Sequence, residues 1–391
     1  MKPLAARTSF LAQSDIRAIT HLVRSVDGIN LGQGICDMPT PAPIKAGAHA
    51  AIDQDCSIYS HFAGIEPLRE AILEKARTYN RIPASNTEEV VVSVGSTGAF
   101  VAAMLSLLDP GDEVILIEPF YGYHRSLLAL LGANVRTVRP SLPDWAIDLD
   151  AIEAAITPRT KAILVNTPGN PNGKVWTRSE LEGLRDLLVR YDLFALTDEI
   201  YEYMLYDGRE HISLASLPGA WERTVTISGF SKTYNMTGWR LGYAVGPERL
   251  VAPMGLVNDL IYICAPTPLQ HGVAEAFQMD DGYFERMLAD YDRKRTLLCT
   301  ALEDAGFGVP WPQGAYYVLA DFSPLRSRFA GYEDDTRAAI SLVNEAGIGA
   351  VAGRSFFENA SDGSDLLRFC FAKEFPVLED ACDRLRRAFA R

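Results

Sequence analysis

The sequence predicts an α/β fold: a large domain with a mostly parallel central sheet flanked by helices, plus a smaller α+β domain. Three observations carry this. Short β-rich runs alternate with helical patterns through the middle of the chain, and those runs are continuously apolar rather than alternating. The pattern then changes after a long helical stretch beginning near residue 283. Continuous apolar strands separated by helices describe a parallel sheet covered on both faces.

In chain order, the strand candidates are EVVVSV (89–94), EVILIE (113–118), KAILVN (161–166), LFALTD (193–198) and TVTISG (224–229). SELEGLRDLLVRYD (179–192) has helical apolar spacing. The stretch 283–305 keeps that spacing for about six turns and is long enough to lead out of the central domain. Beyond it, FGVPWPQGAYYVLADF supplies a turn and a strand, VNEAGIGAV a helix end and a strand, and LLRFCFA a further strand before a C-terminal helix. The expected division is 1–48 as an N-terminal segment completing the small domain, 49–285 as the large domain and 286–391 as the small one.

Composition narrows the function classes. The 391 residues are 48% hydrophobic and 22% charged, as in ordinary folded proteins. Fifty acidic against 37 basic residues give a net charge of −13, which disfavours nucleic acid or an anionic membrane as partner. Six scattered cysteines show no C-x-x-C pair and no clustering with histidine, so no metal site is expected and a reducing compartment is. The N-terminus lacks the apolar core of a signal peptide, and no apolar run approaches the roughly 18 residues of a membrane span. These features predict a cytoplasmic protein.

The most telling stretch is SGFSKTYNMTGWRLGY, 228–243. Lys232 lies among small and hydroxyl residues, with Arg240 eight positions on. An uncharged amine attacks a carbonyl, and burial beside cations favours that form. Arg240 and the hydroxyls of Ser228 or Ser231 suit the phosphate of a carbonyl cofactor.

Ligands of an open parallel sheet gather at the carboxyl ends of its strands, and other chemistry-bearing residues fall there. Gly95-Ser96-Thr97-Gly98 follows the first strand and can turn into a helix whose exposed N–H groups cradle an anion. Phe120, Tyr121, Tyr123 and His124 follow the second; an aromatic there either packs in the core or lies on a heteroaromatic ring. Asn170-Pro171-Asn172-Gly173 forces a turn after the third. Asp198 ends the fourth, where its carboxylate either caps a following helix or meets a cation.

Together these segments resemble the class I/II aminotransferases, the fold-type I enzymes that use pyridoxal 5'-phosphate, over residues 29–375 or so. The resemblance implies Lys232 as the Schiff-base lysine and proton shuttle, and Asp198 as the partner of the ring nitrogen. Tyr121 would stack on the ring, while Asn170 and Tyr201 would bond its oxygen. Ser96, Thr97, Ser228, Ser231 and Arg240 would surround the phosphate, and Tyr59 would reach the phosphate of a partner subunit, which implies a homodimer. Arg368 would bind the substrate carboxylate, with Gly34, Ile35 and Asn170 beside it. Asn172 stands where the family often has threonine.

The implied reaction is ping-pong transfer of an amino group from an L-amino acid to a 2-oxo acid. A cysteine-conjugate β-lyase would share every cofactor contact. A cofactor-sensing regulator would need a DNA-binding module for which the chain has no spare length. Acidic substrates would require a further cation, for which Arg125 and Arg354 are candidates, whereas Ile35, Tyr59, Tyr262 and Ile263 favour neutral or aromatic side chains.

Overall fold

The structure, a computed structural model, describes residues 2, 5–8, 15–279 and 282–390. Chain order gives β1 (Ile29–Asn30), β2 (Val90–Val94), β3 (Glu113–Ile117), β4 (Asn134–Val138), β5 (Thr160–Asn166) and β6 (Phe194–Asp198). There follow β7 (Thr224–Gly229), β8 (Leu241–Val245), β9 (Tyr317–Asp321), β10 (Ile348–Gly349), β11 (Val351–Ala352) and β12 (Leu366–Cys370).

Seven strands form the central sheet in the order β2-β8-β7-β6-β5-β3-β4. Within it, β8 alone runs against its neighbours. Successive side chains leave a strand on opposite faces, and both faces are covered. Val114, Leu116, Ala162, Leu164 and Leu196 pack with residues of the helices Gly95–Leu107 and Glu248–Tyr262. Ile115, Ile163, Val165 and Ala195 pack on the opposite side with Leu181, Leu184, Leu187 and Leu188 of the helix Arg178–Arg190. That helix starts with a capping box: the Glu180 N–H donates to Thr177 Oγ1 (3.3 Å) and the Thr177 N–H to Glu180 Oε2 (2.7 Å).

β4 and β8 lie outside the strands read from the sequence. β4 is a half-polar edge strand, and β8 is hidden in the glycine-rich motif. Beyond the sheet, β11, β12 and β9 form an antiparallel ribbon, and β1 pairs in parallel with β10. Helix Asp15–Ser25 lies against β10 and β11, so the N-terminal segment joins this smaller unit. Helix Ala42–Asp53 instead packs on helix Thr267–Ala274 of the larger one. The expected boundaries at 48 and 285 therefore fall inside helices, the second within Gly282–Ala305. Among the described residues no helix is long and apolar enough to cross a membrane.

Behind the carboxyl edge of the sheet, a buried polar network holds the turn that follows β6. Glu202 takes the Lys75 ammonium and accepts from Asn80 Nδ2 (2.7 Å) and Ser228 Oγ (2.7 Å). Burial is the largest influence and opposes the Glu202 charge, but Lys75, His211 and the Asn80 hydrogen bond together outweigh it, leaving the carboxyl below its usual range. Glu199 is fully buried beside His211 Nε2 (2.7 Å), Thr197 Oγ1 (2.9 Å) and Ser213 Oγ (3.0 Å). Glu199, Glu202 and His211 lie close together, and the Lys75 ammonium already serves this cluster as its cation. Removing one partner of a buried ion pair strands the other's charge. Lys75→Met is expected to lower stability by about 3–5 kcal/mol in denaturant unfolding, with much of the loss recovered in Lys75→Met/Glu202→Gln.

Candidate active site

The parallel strands deliver their carboxyl ends to one edge, and the reversed β8 delivers its beginning there too. Arg240, the residue before β8, thus meets the start of helix Gly95–Leu107, which directly follows β2. Contact is close because side chains are missing. A Cβ on Gly242 would overlap the Ser96 backbone nitrogen, and one on Gly95 would overlap the Arg240 guanidinium. The Arg240 backbone is left-handed (φ 57°), and its Nη1 donates to Thr237 O (3.0 Å). No side chain caps the helix. Its free N–H groups face an arginine, an arrangement that holds anions.

A cavity of about 810 Å³ opens at this edge. It brings together twelve of the residues singled out from the sequence: Gly34, Ile35, Ser96, Thr97, Tyr121, Asn170, Asp198, Tyr201, Ser231, Lys232, Arg240 and Arg368. Lys232 Nζ donates to Gly34 O (3.1 Å), which also accepts from the Tyr316 hydroxyl (3.1 Å). Gly34 is pressed so closely on Tyr317 that a Cβ would overlap its hydroxyl.

Asp198 Oδ2 lies 3.2 Å from His124 Nε2. The His124 ring sits edge-on to Tyr121 (centroids 5.2 Å apart, 88°) and against Phe100. Asn166 ties two strand ends together: its Nδ2 donates to Asp198 O (3.0 Å), and its Oδ1 accepts from the Asn170 N–H (2.7 Å). Tyr201 donates to the Tyr317 hydroxyl (3.3 Å). Burial pushes the Tyr121 and Tyr201 phenols above their usual range, so both remain hydrogen-bond donors.

Arg368 is buried on β12 and lines the same cavity. Its guanidinium carbon lies 4.4 Å from the centre of the Tyr317 ring and 5.0 Å from that of Phe356. Nη1 donates to Asn170 Oδ1 (2.9 Å) and Nη2 to Gly32 O (2.7 Å), while Nε is buried without a partner among the described residues. The group is held in position by Asn170 and Gly32, and a planar guanidinium matches planar carboxylates.

Several expectations change. Ser228 is turned away from the cavity toward Glu202, so of the two serines only Ser231 lines it. Asp198 caps no helix: the following residues form a turn, in which Oδ1 accepts from the Ile200 N–H (3.3 Å). Tyr59 is 74% exposed and, like Tyr262 and Ile263, lies outside the cavity lining. Arg354 Nε donates to the buried Asp335 (2.6 Å) and does not line the cavity, whereas Arg125 does. Roles for His124, Asn166, Tyr317 and Phe356 escape the sequence reading. Asn166 alone carried a signal, as a polar residue closing an apolar strand.

The family description "Aminotransferase class I and II" matches residues 26–385. The chain is 36% identical over 378 residues to a probable N-succinyldiaminopimelate aminotransferase of Mycobacterium tuberculosis, covering 94% of each protein. It is 33% identical to aromatic-amino-acid aminotransferase 2 of Thermococcus litoralis, covering 98% of this chain and 97% of that protein. The solved structure of the M. tuberculosis N-succinyldiaminopimelate aminotransferase superposes with a TM-score of 0.93 at 34% identity, covering 99% of this chain and 100% of that one. Thermus thermophilus aspartate aminotransferase with maleate gives 0.91 at 33%, with the same coverage. These names favour amino transfer over β-elimination. The chain belongs to the aminotransferase class I and II family and is an aminotransferase.

Proposed function

We propose that the cavity holds pyridoxal 5'-phosphate and that the chain moves an amino group from an L-amino acid to a 2-oxo acid by a ping-pong mechanism, as a cytoplasmic homodimer. The observation that carries this reading is the convergence of an uncapped helix start, Arg240, Lys232, Asp198 and Arg368 in one cavity. The donor set fits the cofactor. Ser96, Thr97, Ser231, Arg240 and the helix N–H groups suit its phosphate, Tyr121 its ring face, Asn170 and Tyr201 its ring oxygen, and Asp198 its ring nitrogen. When bound, it supplies an electron sink for the pair released from the substrate Cα–H bond.

The protein's part is to orient and to move protons. Arg368 takes the substrate α-carboxylate in a bidentate grip, with Asn170 beside it, and so fixes the direction of the Cα–H bond. Lys232 Nζ takes that proton and returns it on the other side of the transfer. His124 holds the Asp198 carboxylate in place, and Glu199 and Glu202, bonded to His211, Ser213 and Lys75 behind it, stiffen the turn that follows. Because the same cavity releases a 2-oxo acid and then receives another, both substrates answer to one set of walls.

Exposed apolar side chains support the homodimer: Leu260 is 87% exposed, Ile58 80% and its neighbour Tyr59 74%, and such side chains become buried when gathered in an interface. All six cysteines are free, which suits the cytoplasm.

Lys232→Ala is expected to lose both turnover and the visible absorbance of lysine-linked cofactor; a retained band would remove the assignment. Arg368→Lys should cut kcat/KM for amino acids by roughly 10- to 100-fold, mostly through KM, since a point charge cannot replace the fork. Sedimentation should find a dimer, and Leu260→Asp should shift it toward monomer with activity falling in step. A monomer with full activity would refute the shared site.

A further inference from the structure

Among the described residues, the charged side chains lining the cavity are Arg125, Lys232, Arg240 and Arg368, with Asp198 and Glu358. The proposed function, on which this inference rests, employs four of the six. Arg125 and Glu358 remain, and they are paired with each other. Arg125 Nε and Nη2 each donate to one Glu358 carboxylate oxygen at 3.0 Å. The arginine therefore already presents its bidentate fork to a carboxylate.

We infer that Arg125 is the receptor for the distal carboxylate of a dicarboxylic substrate, and that Glu358 is the resident carboxylate which that substrate displaces. Three observations support this. First, the pair is exchangeable. The two side chains are 37% and 38% exposed, and ion pairs that open to water contribute little. Displaced Glu358 moves into solvent rather than into a buried vacancy.

Second, the loop carrying Glu358 does not depend on the pair. The Phe120 N–H donates to Phe356 O (2.9 Å), the Glu358 N–H donates to Glu118 Oε1 (2.9 Å), and Arg139 pairs with Asp362 (3.0 Å). Phe356 thus keeps its place on Arg368 when Arg125 changes partner. Third, the alternative cation is committed elsewhere. Arg354 donates through its backbone N–H (2.7 Å) and Nε (2.6 Å) to the buried Asp335.

The arrangement addresses a problem set by the ping-pong cycle. One cavity must take substrates of different side-chain charge in turn, and an unpaired arginine at its mouth would reject apolar side chains. With Glu358 in place the mouth is neutral toward an apolar or aromatic side chain. With the substrate carboxylate in place Arg125 is again paired, so neither substrate leaves a charge stranded.

The test compares two acceptors of equal chain length, 2-oxoglutarate and 2-oxopentanoate, on cofactor-loaded wild type, Arg125→Met and Glu358→Gln, with one amino donor throughout. The ratio of kcat/KM, dicarboxylic over monocarboxylic, is expected to fall about 10- to 100-fold in Arg125→Met, the size of a lost charge-assisted contact. In Glu358→Gln it is expected to rise, because the competing carboxylate is gone. An unchanged ratio in Arg125→Met, an equal loss with both acceptors, or a fall in Glu358→Gln would overturn the inference while leaving amino transfer intact. Competition by glutarate against pentanoate in the same proteins reads binding alone. Where wild type turns over neither oxo acid, a glutarate preference that Arg125→Met leaves unchanged overturns the inference and loss of that preference supports it. The proposed function fails separately, if wild type lacks the absorbance of lysine-linked cofactor.

Discussion

Everything at the cavity depends on three stretches of backbone passing one another with no side chain between them. The end of β7 at Gly229, the start of β8 at Gly242 and the first residues of the helix at Gly95 and Ser96 touch main chain to main chain. Glycine is the residue that permits such approach. The consequence is chemical: Arg240 meets the open start of a helix begun more than a hundred residues earlier, and Lys232, eight residues before it on the β7–β8 connection, lines the same cavity. Widening that contact by one methyl group would separate the anion cradle from the amine while leaving each element recognisable.

The charges are arranged in depth. Four cations and Asp198 line the one cavity, and Asp198 is held by His124 and by the turn that follows β6. Two more carboxylates, Glu199 and Glu202, flank that turn and face inward, where Lys75, His211 and hydroxyl groups receive them. Buried carboxylates need such partners. The same short segment therefore turns Asp198 and Tyr201 toward the cavity and Glu199 and Glu202 inward, which accounts for its density of ionisable residues.

Much of this was legible because a parallel sheet gives residue position a chemical meaning. Once 89–94, 113–118, 161–166 and 193–198 are read as strands, Thr97, Tyr121, Asn170 and Asp198 must share an edge. β8 was harder to see: its direction is set by pairing between β2 and β7, which no local pattern encodes. Ser228 was misplaced for a related reason, since it belongs to β7, and alternation along that strand sends its hydroxyl to Glu202. His124, Tyr317 and Phe356 owe their places to packing between distant segments. Arg125 and Arg354 looked equivalent because both were read only from their neighbourhood; Asp335, nineteen residues before Arg354, separates them.

Arg368 is buried with its Nε–H unmatched among the described residues, and a buried donor without an acceptor costs about 1–3 kcal/mol. Its other two nitrogens donate to Asn170 Oδ1 and to Gly32 O, so two segments far apart in the chain rest on one side chain. The fold thus gives up stability at this guanidinium while holding two distant loops in register beside the cavity.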